Sequence, residues 1–157
     1  MSDPDYKLLA SQLHALLGDE TDALANASNF VALLYNALDD VNWLGIYVLR
    51  DGELVLGPFQ GKPACVRIQV GSGVCGTAAA TLQTQRVADV HQFAGHIACD
   101  ADSRSEIVVP LICNGNLIGV LDIDSPTLDR FNEFDQQGME ELCASYCRLQ
   151  ESREQFI

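Results

Sequence analysis

The chain has few basic residues and no long apolar segment. It carries 9 Lys and Arg against 22 Asp and Glu in 157 residues, a formal net charge of −13. So acidic a surface repels nucleic-acid phosphates and anionic membranes, and we expect neither as a partner. The apolar runs are short and interrupted, which excludes a bilayer-spanning helix. The N-terminal residues also lack the pattern of a signal peptide, so we expect a cytoplasmic protein.

The composition is that of a globular protein. Hydrophobic residues make up 48% of the chain, enough to bury a core, and the length predicts one domain over residues 1–157. Six cysteines are present, and a cytoplasm keeps thiols reduced. The cysteines therefore favour catalysis, metal binding or core packing over a structural disulfide framework.

Helical patterns occupy both ends of the chain, and strand patterns lie between them. Leucines at helical spacing predict two N-terminal helices, and a similar apolar stripe predicts one C-terminal helix. Asp51-Gly52 and Asn114-Gly115 each predict a hairpin turn, whereas residues 87–106 have no clean period and are predicted to be mostly loop. Strands joined by hairpins and flanked by helices indicate an α+β fold with a largely antiparallel sheet. The predicted strands are WLGIYVL, ELVLGPF, CVRIQV, IVVPLIC and NLIGVLDIDS.

Three cysteines lie in the irregular, glycine-rich third of the chain. They are Cys65 in GKPAC, Cys75 in GSGVCGT and Cys99 in GHIACDADS. A loop thiol close to free backbone N–H groups is favoured as thiolate, the nucleophilic form. A second thiol within reach can convert a sulfenic acid into a disulfide. Inert loop thiols are the alternative for each cysteine taken alone.

The other three cysteines follow regular patterns. Cys143 and Cys147 are four residues apart on the apolar stripe of the last helix, and Cys113 ends a strand beside a hairpin turn. A free cysteine in such a position behaves as a small hydrophobic residue. We therefore expect core packing for all three.

Two carboxylates follow a hydrophobic strand. Asp122 and Asp124 are two residues apart in GVLDIDS, so both point to one face, with Ile118 and Val120 as expected neighbours on that face. Pairing around the predicted hairpin would bring Glu106 alongside them. Such carboxylates can bind a ligand ammonium or share a proton. A strand end that emerges into solvent is the alternative.

Trp43 and Tyr47 are four residues apart on a predicted strand and share a face. They can be ordinary core residues. Alternatively, they form an aromatic wall against an apolar or sulfur-containing group.

Taken together, these segments resemble the free methionine-(R)-sulfoxide reductases, single-domain enzymes of the GAF fold. The resemblance covers nearly the whole chain. It is most specific in WLGIY, LGPFQGKPACVRI, GVCGTA, VADVH, GHIACDADSRSEIVVPL and GVLDIDS, and it includes the cysteine spacing of ten and then twenty-four residues. It implies a central antiparallel sheet of about six strands, with the terminal helices on one face and a loop-covered pocket on the other. GAF domains often form homodimers through those helices.

The resemblance also implies the residue roles. Cys99 is expected to be the catalytic thiol, Cys65 the resolving thiol and Cys75 an accessory thiol. The expected substrate ligands are Glu106, Asp122 and Asp124, with Trp43 and Tyr47 around the methyl end. No metal or bound cofactor is implied, and an external thioredoxin-like or glutaredoxin-like dithiol would restore the thiols.

Two alternatives remain open at the level of sequence. A GAF sensor would bind a ligand without chemistry, but a sensor is usually joined to an output domain, for which 157 residues leave no room. A zinc-binding redox switch would use Cys65, Cys75, Cys99 and His96. It lacks the short Cys-x-x-Cys spacing that zinc sites usually show.

Overall fold

The computed structural model describes residues 3–95 and 101–150. Four helices and six strands form in these ranges. A short 3-10 turn at residues 90–92 lies between the fourth and fifth strands. The helices are α1 (Tyr6–Leu17), α2 (Ala23–Ala37), α3 (Gly73–Thr81) and α4 (Glu133–Gln150). The strands are β1 (Trp43–Arg50), β2 (Glu53–Gln60), β3 (Arg67–Gln69), β4 (Gln85–Val87), β5 (Ser105–Cys113) and β6 (Asn116–Ser125). The predicted α+β fold is confirmed.

All six strands form one antiparallel sheet in the order β3-β2-β1-β6-β5-β4. Both predicted hairpins are present: Asp51 and Gly52 join β1 to β2, and Asn114 and Gly115 join β5 to β6. All four turn residues have positive φ, as a tight two-residue hairpin turn requires. Strands β1 and β6, which are far apart in sequence, lie side by side at the centre of the sheet.

Each face of the sheet buries its own apolar cluster. The larger cluster joins α1, α2 and α4 to one face and includes Leu13, Phe30, Leu121 and Tyr146. The smaller cluster lies on the other face, under α3 and the loops, and includes Trp43. The terminal helices therefore pack on one face and leave the other for a pocket, as the sequence predicts. No helix within residues 3–95 and 101–150 has the length and apolarity to cross a membrane.

Local details depart from the sequence predictions at two places. Residues 85–87 pair with β5 as a short edge strand that the sequence analysis did not predict, and only Val87 of it falls in the segment 87–106 that was expected to be mostly loop. Ile118 packs with the helix-side cluster, not beside the two aspartates, because the register of β5 and β6 shifts there: Leu111 pairs with Gly119 and Ile112 pairs with Leu117. The extra residue on β6 forms a β-bulge, which interrupts the alternation of side chains along that strand.

Cys113, Cys143 and Cys147 all pack in the core as predicted, but the disulfide that two of them form was not expected. Cys113 and Cys147 form a disulfide, whereas Cys143 is free and buried. Cys113 ends β5 on the face covered by α4, and the Cα atoms of the bonded pair are 5.0 Å apart, within the range for a disulfide. The pair is 34 residues apart in sequence, so its proximity depends on how α4 packs on β5.

Candidate active site

Pairing of the three central strands of the site aligns an aromatic ring with two acids. Trp43 on β1 lies opposite Asp124 on β6, and Asp124 lies opposite Glu106 on β5. Directly opposite residues in an antiparallel sheet have Cβ atoms about 5 Å apart. The predicted approach of Glu106 to the aspartates is therefore confirmed, and it follows from the hairpin register.

Asp122 lies one step further along β6, between Gly45 and Val108. Gly45 provides space here: a Cβ at this position would lie 2.6 Å from a ring carbon of Trp43 and 2.5 Å from the Cβ of Phe59. The glycine therefore lets the indole lie across β1. Sequence reasoning did not single out Gly45, although a glycine inside a strand pattern often marks such a close approach.

A partly open cavity lies above these residues. Six of the eight predicted site residues, Cys75 among them, line it, so they form one site and are not scattered over the surface. Asp122 and Glu106 are 5% and 7% exposed, which excludes a strand end that emerges into solvent. The lining comprises Trp43, Tyr47, Pro63, Ala64, Ile68, Ser72, Gly73, Val74, Cys75, Ser103, Glu106, Asp122 and Asp124.

Glu106 has a strongly perturbed acidity. Its burial, followed by the nearby charges of Asp122 and Asp124, raises its pKa well above the usual 4.5, and it hydrogen-bonds both aspartates. Two carboxyl groups hydrogen-bond each other only when one of them carries a proton. The three carboxyls therefore share at least one proton, and the raised pKa of Glu106 makes it the favoured carrier.

Cys75 differs from the loop thiol that the sequence predicts. It lies in the first turn of α3 and is 5% exposed. Burial, followed by the charges of Asp122 and Glu106, raises the pKa of its thiol, and the side chain hydrogen-bonds Asp122. Cys75 therefore fits the alternative of an inert thiol better than a thiolate, because burial and the nearby carboxyls both favour its neutral form.

Two aromatic side chains hold the segment that carries Cys65. The Tyr47 hydroxyl donates to the carbonyl oxygen of Cys65 at 2.8 Å, and the Trp43 indole N–H donates to the carbonyl oxygen of Lys62 at 3.0 Å. The Cys65 sulfur takes part in a disulfide. Residues 62–65 thus form a strap along the rim of the cavity.

The strap is also joined to the segment that precedes β5. Lys62 Nζ lies 2.8 Å from a carboxylate oxygen of Asp102, and both side chains are largely exposed. Ser103, next to Asp102, lines the cavity itself. Cys99 and His96, which the sequence analysis assigned to the catalytic thiol and to the zinc alternative, lie outside the described residues.

The first turn of α3 also faces the cavity, which sequence reasoning missed. Ser72, Gly73 and Val74 line it, and the first backbone N–H to bond within the helix is that of Gly76, to the Ser72 carbonyl. The preceding N–H groups are therefore available to an anion. The signal was present in GSGVCGT, where a glycine-rich segment leads into a helix.

One group of side chains in the cavity has the geometry of a cation site. Cys75 Sγ and one carboxylate oxygen from each of Glu106 and Asp122 lie within 4.8 Å of one another. These atoms could hold a metal ion or a ligand ammonium. They do not include Cys65, so they differ from the zinc set considered from the sequence.

Comparisons with known proteins agree with this geometry. The model of the GAF domain family matches residues 12–146. The free methionine-R-sulfoxide reductase of Escherichia coli is 58% identical over 139 residues, 88% of this chain and 84% of that protein. The enzyme of the same name from Saccharomyces cerevisiae is 51% identical over 124 residues, 76% of this chain and 69% of that protein.

A solved structure extends the likeness to three dimensions. The free methionine-R-sulfoxide reductase of Neisseria meningitidis, in complex with its substrate, superposes with a TM-score of 0.92 at 42% identity. The match covers 100% of this chain and 97% of that one. The chain therefore has a GAF domain and belongs to the family of free methionine-R-sulfoxide reductases.

Proposed function

We propose that this protein reduces free L-methionine-(R)-sulfoxide to L-methionine through its own thiols. The observation that carries the proposal is the cavity, in which three carboxyls, two aromatic rings and the strap of Cys65 meet. Membership of the reductase family supports the same substrate. We further propose that residues 1–157 act as one cytoplasmic GAF domain, which can pair as a homodimer.

The cavity suits both ends of a free amino acid. The substrate ammonium pairs with the carboxyl cluster, and its carboxylate meets the N–H groups at the start of α3. Trp43 and Tyr47 pack against the methyl end. A methionine sulfoxide inside a peptide has no ammonium group to offer to the carboxyl cluster, and its backbone carbonyl takes the place of the free carboxylate at α3. Selectivity for the free amino acid follows.

The chemistry needs a nucleophile and a proton donor. The Cys99 thiolate attacks the sulfoxide sulfur, and Glu106 is assigned as the proton donor to the sulfoxide oxygen, because burial and the neighbouring aspartates raise its pKa. The hydroxyl then moves from the substrate sulfur to the Cys99 sulfur, so the S–S bond formed by the attack and the S–O bond of the substrate both break as the S–O bond of the sulfenic acid forms. Methionine leaves with its sulfur reduced by two electrons, and Cys99 remains as sulfenic acid, oxidised by two.

Recycling needs a second thiol and an external reductant. The Cys65 thiol condenses with the sulfenic acid of Cys99, which forms a disulfide and releases water. A thioredoxin-like or glutaredoxin-like dithiol then reduces this disulfide by exchange. Cys75 assists from the cavity as an accessory thiol. Its raised pKa makes it a poor nucleophile in the resting protein.

Single-turnover measurements without reductant test these roles. Cys99→Ser should release no methionine, whereas Cys65→Ser should release one equivalent and accumulate sulfenic acid. Cys143→Ser removes a buried thiol on the other face of the sheet and should behave as wild type. Methionine release by Cys99→Ser would show that another residue is the nucleophile. A wild-type protein that binds the sulfoxide without any release would be a sensor.

A further inference from the structure

The cavity holds more acidic groups than a free amino acid can balance. Glu106, Asp122 and Asp124 line it together with the Cys75 thiol. Within residues 3–95 and 101–150, no Lys, Arg or His side chain lines this cavity. A zwitterionic substrate brings one ammonium group to three carboxyls that share a proton, so at least one acidic charge has no partner, and the substrate places its own carboxylate elsewhere. Negative potential therefore remains around the rest of the substrate.

The aromatic wall strengthens this preference for positive charge. The indole N–H of Trp43 and the hydroxyl of Tyr47 both bond carbonyl oxygens of the strap. Because their polar ring atoms are used there, the rings offer the cavity carbon and π surface. Such surface attracts cations whose charge is spread over methyl groups, as aromatic cages for quaternary ammonium ligands demonstrate.

We infer that the cavity selects for positive charge at the position of the substrate sulfur, so that a methionine sulfonium is a ligand of this site. The position of the sulfur rests on the proposed function. In that reaction, protonation of the sulfoxide oxygen gives a hydroxysulfonium, which places a positive charge on sulfur at the moment of attack. A site complementary to this species binds its stable mimics better than it binds the uncharged ground state.

The methylsulfonium of L-methionine is such a mimic. Its sulfur is pyramidal, as in the sulfoxide, with a methyl group in place of the oxygen and a permanent positive charge. It has no S–O bond, so it cannot oxidise a thiol and acts as an inhibitor. L-homoleucine, 2-amino-5-methylhexanoic acid, has the same branched shape with a neutral CH group in place of sulfur. The pair differs mainly in charge at one atom.

Titration calorimetry of the reduced full-length protein with each compound tests the inference. We expect the sulfonium to bind at least about tenfold more tightly than homoleucine, the effect of one well-placed cation–π or ionic contact. Equal or weaker binding of the sulfonium would overturn the inference. This comparison uses the wild-type protein, so it does not depend on the folding of any variant.

Variants locate the source of the preference. Asp122→Asn and Asp124→Asn each remove a carboxylate from the cavity and should reduce the ratio of the two dissociation constants severalfold. Glu141→Gln is the matched control, since it removes a carboxylate from an exposed position on α4, on the other face of the sheet. If both cavity variants kept the full preference for the sulfonium over homoleucine, the assignment of that preference to these carboxyls would be wrong.

The proposed function is tested separately by methionine release from the free (R)-sulfoxide. Release with no sulfonium preference would overturn this inference alone. A clear sulfonium preference without any release would overturn the proposed reaction and leave the cavity as a cation-selective binding site.

Discussion

The hydroxyl of Tyr47 donates a hydrogen bond to the backbone carbonyl oxygen of Cys65, at 2.8 Å. A residue of the cavity wall thus also holds the segment that carries the proposed resolving thiol. Tyr47 lies on β1, at the centre of the sheet, whereas Cys65 lies in the loop between β2 and β3. The bond therefore limits where the Cys65 thiol can lie relative to the cavity.

Loss of the hydrogen bond between Tyr47 and Cys65 should slow formation of the Cys65–Cys99 disulfide and leave the first chemical step unchanged. Tyr47→Phe keeps the aromatic wall, so we predict near wild-type release of the first methionine. Formation of the Cys65–Cys99 disulfide should slow roughly two- to tenfold, because one hydrogen bond contributes about 0.5–1.5 kcal/mol. Quenched-flow thiol trapping measures both steps. Tyr35→Phe on α2 is the matched control, and an unchanged rate of disulfide formation in Tyr47→Phe would exclude the positioning role.

Glu106 should give the reaction its dependence on pH. Its pKa is raised by burial and by Asp122 and Asp124, and the protonated form is the donor. The single-turnover rate should therefore fall as the pH rises through that raised pKa. Glu106→Gln should lose roughly a hundredfold or more in rate, the usual contribution of a general acid, together with this pH dependence. If the fall in rate survives in the variant, another group supplies the proton.

The same carboxyl should make stability depend on pH. Because its pKa is raised in the folded state, folded Glu106 keeps a proton that the unfolded chain loses above its ordinary value of 4.5. The stability that this proton provides is complete below that value and is lost as the pH rises through the raised pKa. Urea unfolding at several pH values should show that the free energy of unfolding of Glu106→Gln rises relative to that of wild type as the pH increases. A constant difference would contradict the assigned protonation.

The Cys113–Cys147 disulfide should affect stability and leave catalysis intact. It joins the end of β5 to α4 across 34 residues of chain, on the face opposite the cavity. A bond that closes a loop of this length contributes about 3–4 kcal/mol in the chain-entropy treatment. We predict that Cys147→Ala loses about this much free energy of unfolding, with an unchanged yield of methionine in one turnover. Cys143→Ala, which breaks no disulfide, is the control.

Much of the site could be predicted because it follows from local rules. The Asn114-Gly115 turn sets the register of β5 and β6, and this register brings Glu106 opposite Asp124. Alternation along β1 places Trp43 and Tyr47 on one face. Such features depend on neighbours in sequence or on a single hairpin.

Other features depend on packing between distant elements. Cys113 meets Cys147 only because α4 packs on β5, and no local pattern encodes that contact. The raised pKa of Cys75 comes from its burial in the fold and then from carboxyls on β5 and β6, none of which its own sequence segment reveals. Ile118 lies on the helix side of the sheet, and not on the predicted face, because a bulge interrupts the alternation of side chains along β6.

The most direct test of the account is methionine release with dithiothreitol as reductant, from four substrates in parallel. These are the (R) and (S) epimers of methionine sulfoxide, each as the free amino acid and within a peptide. The account predicts turnover of the free (R) epimer and little or none of the other three, with no release from any of them by Cys99→Ser. Comparable turnover of peptide-bound sulfoxide, or of the free (S) epimer, would contradict it.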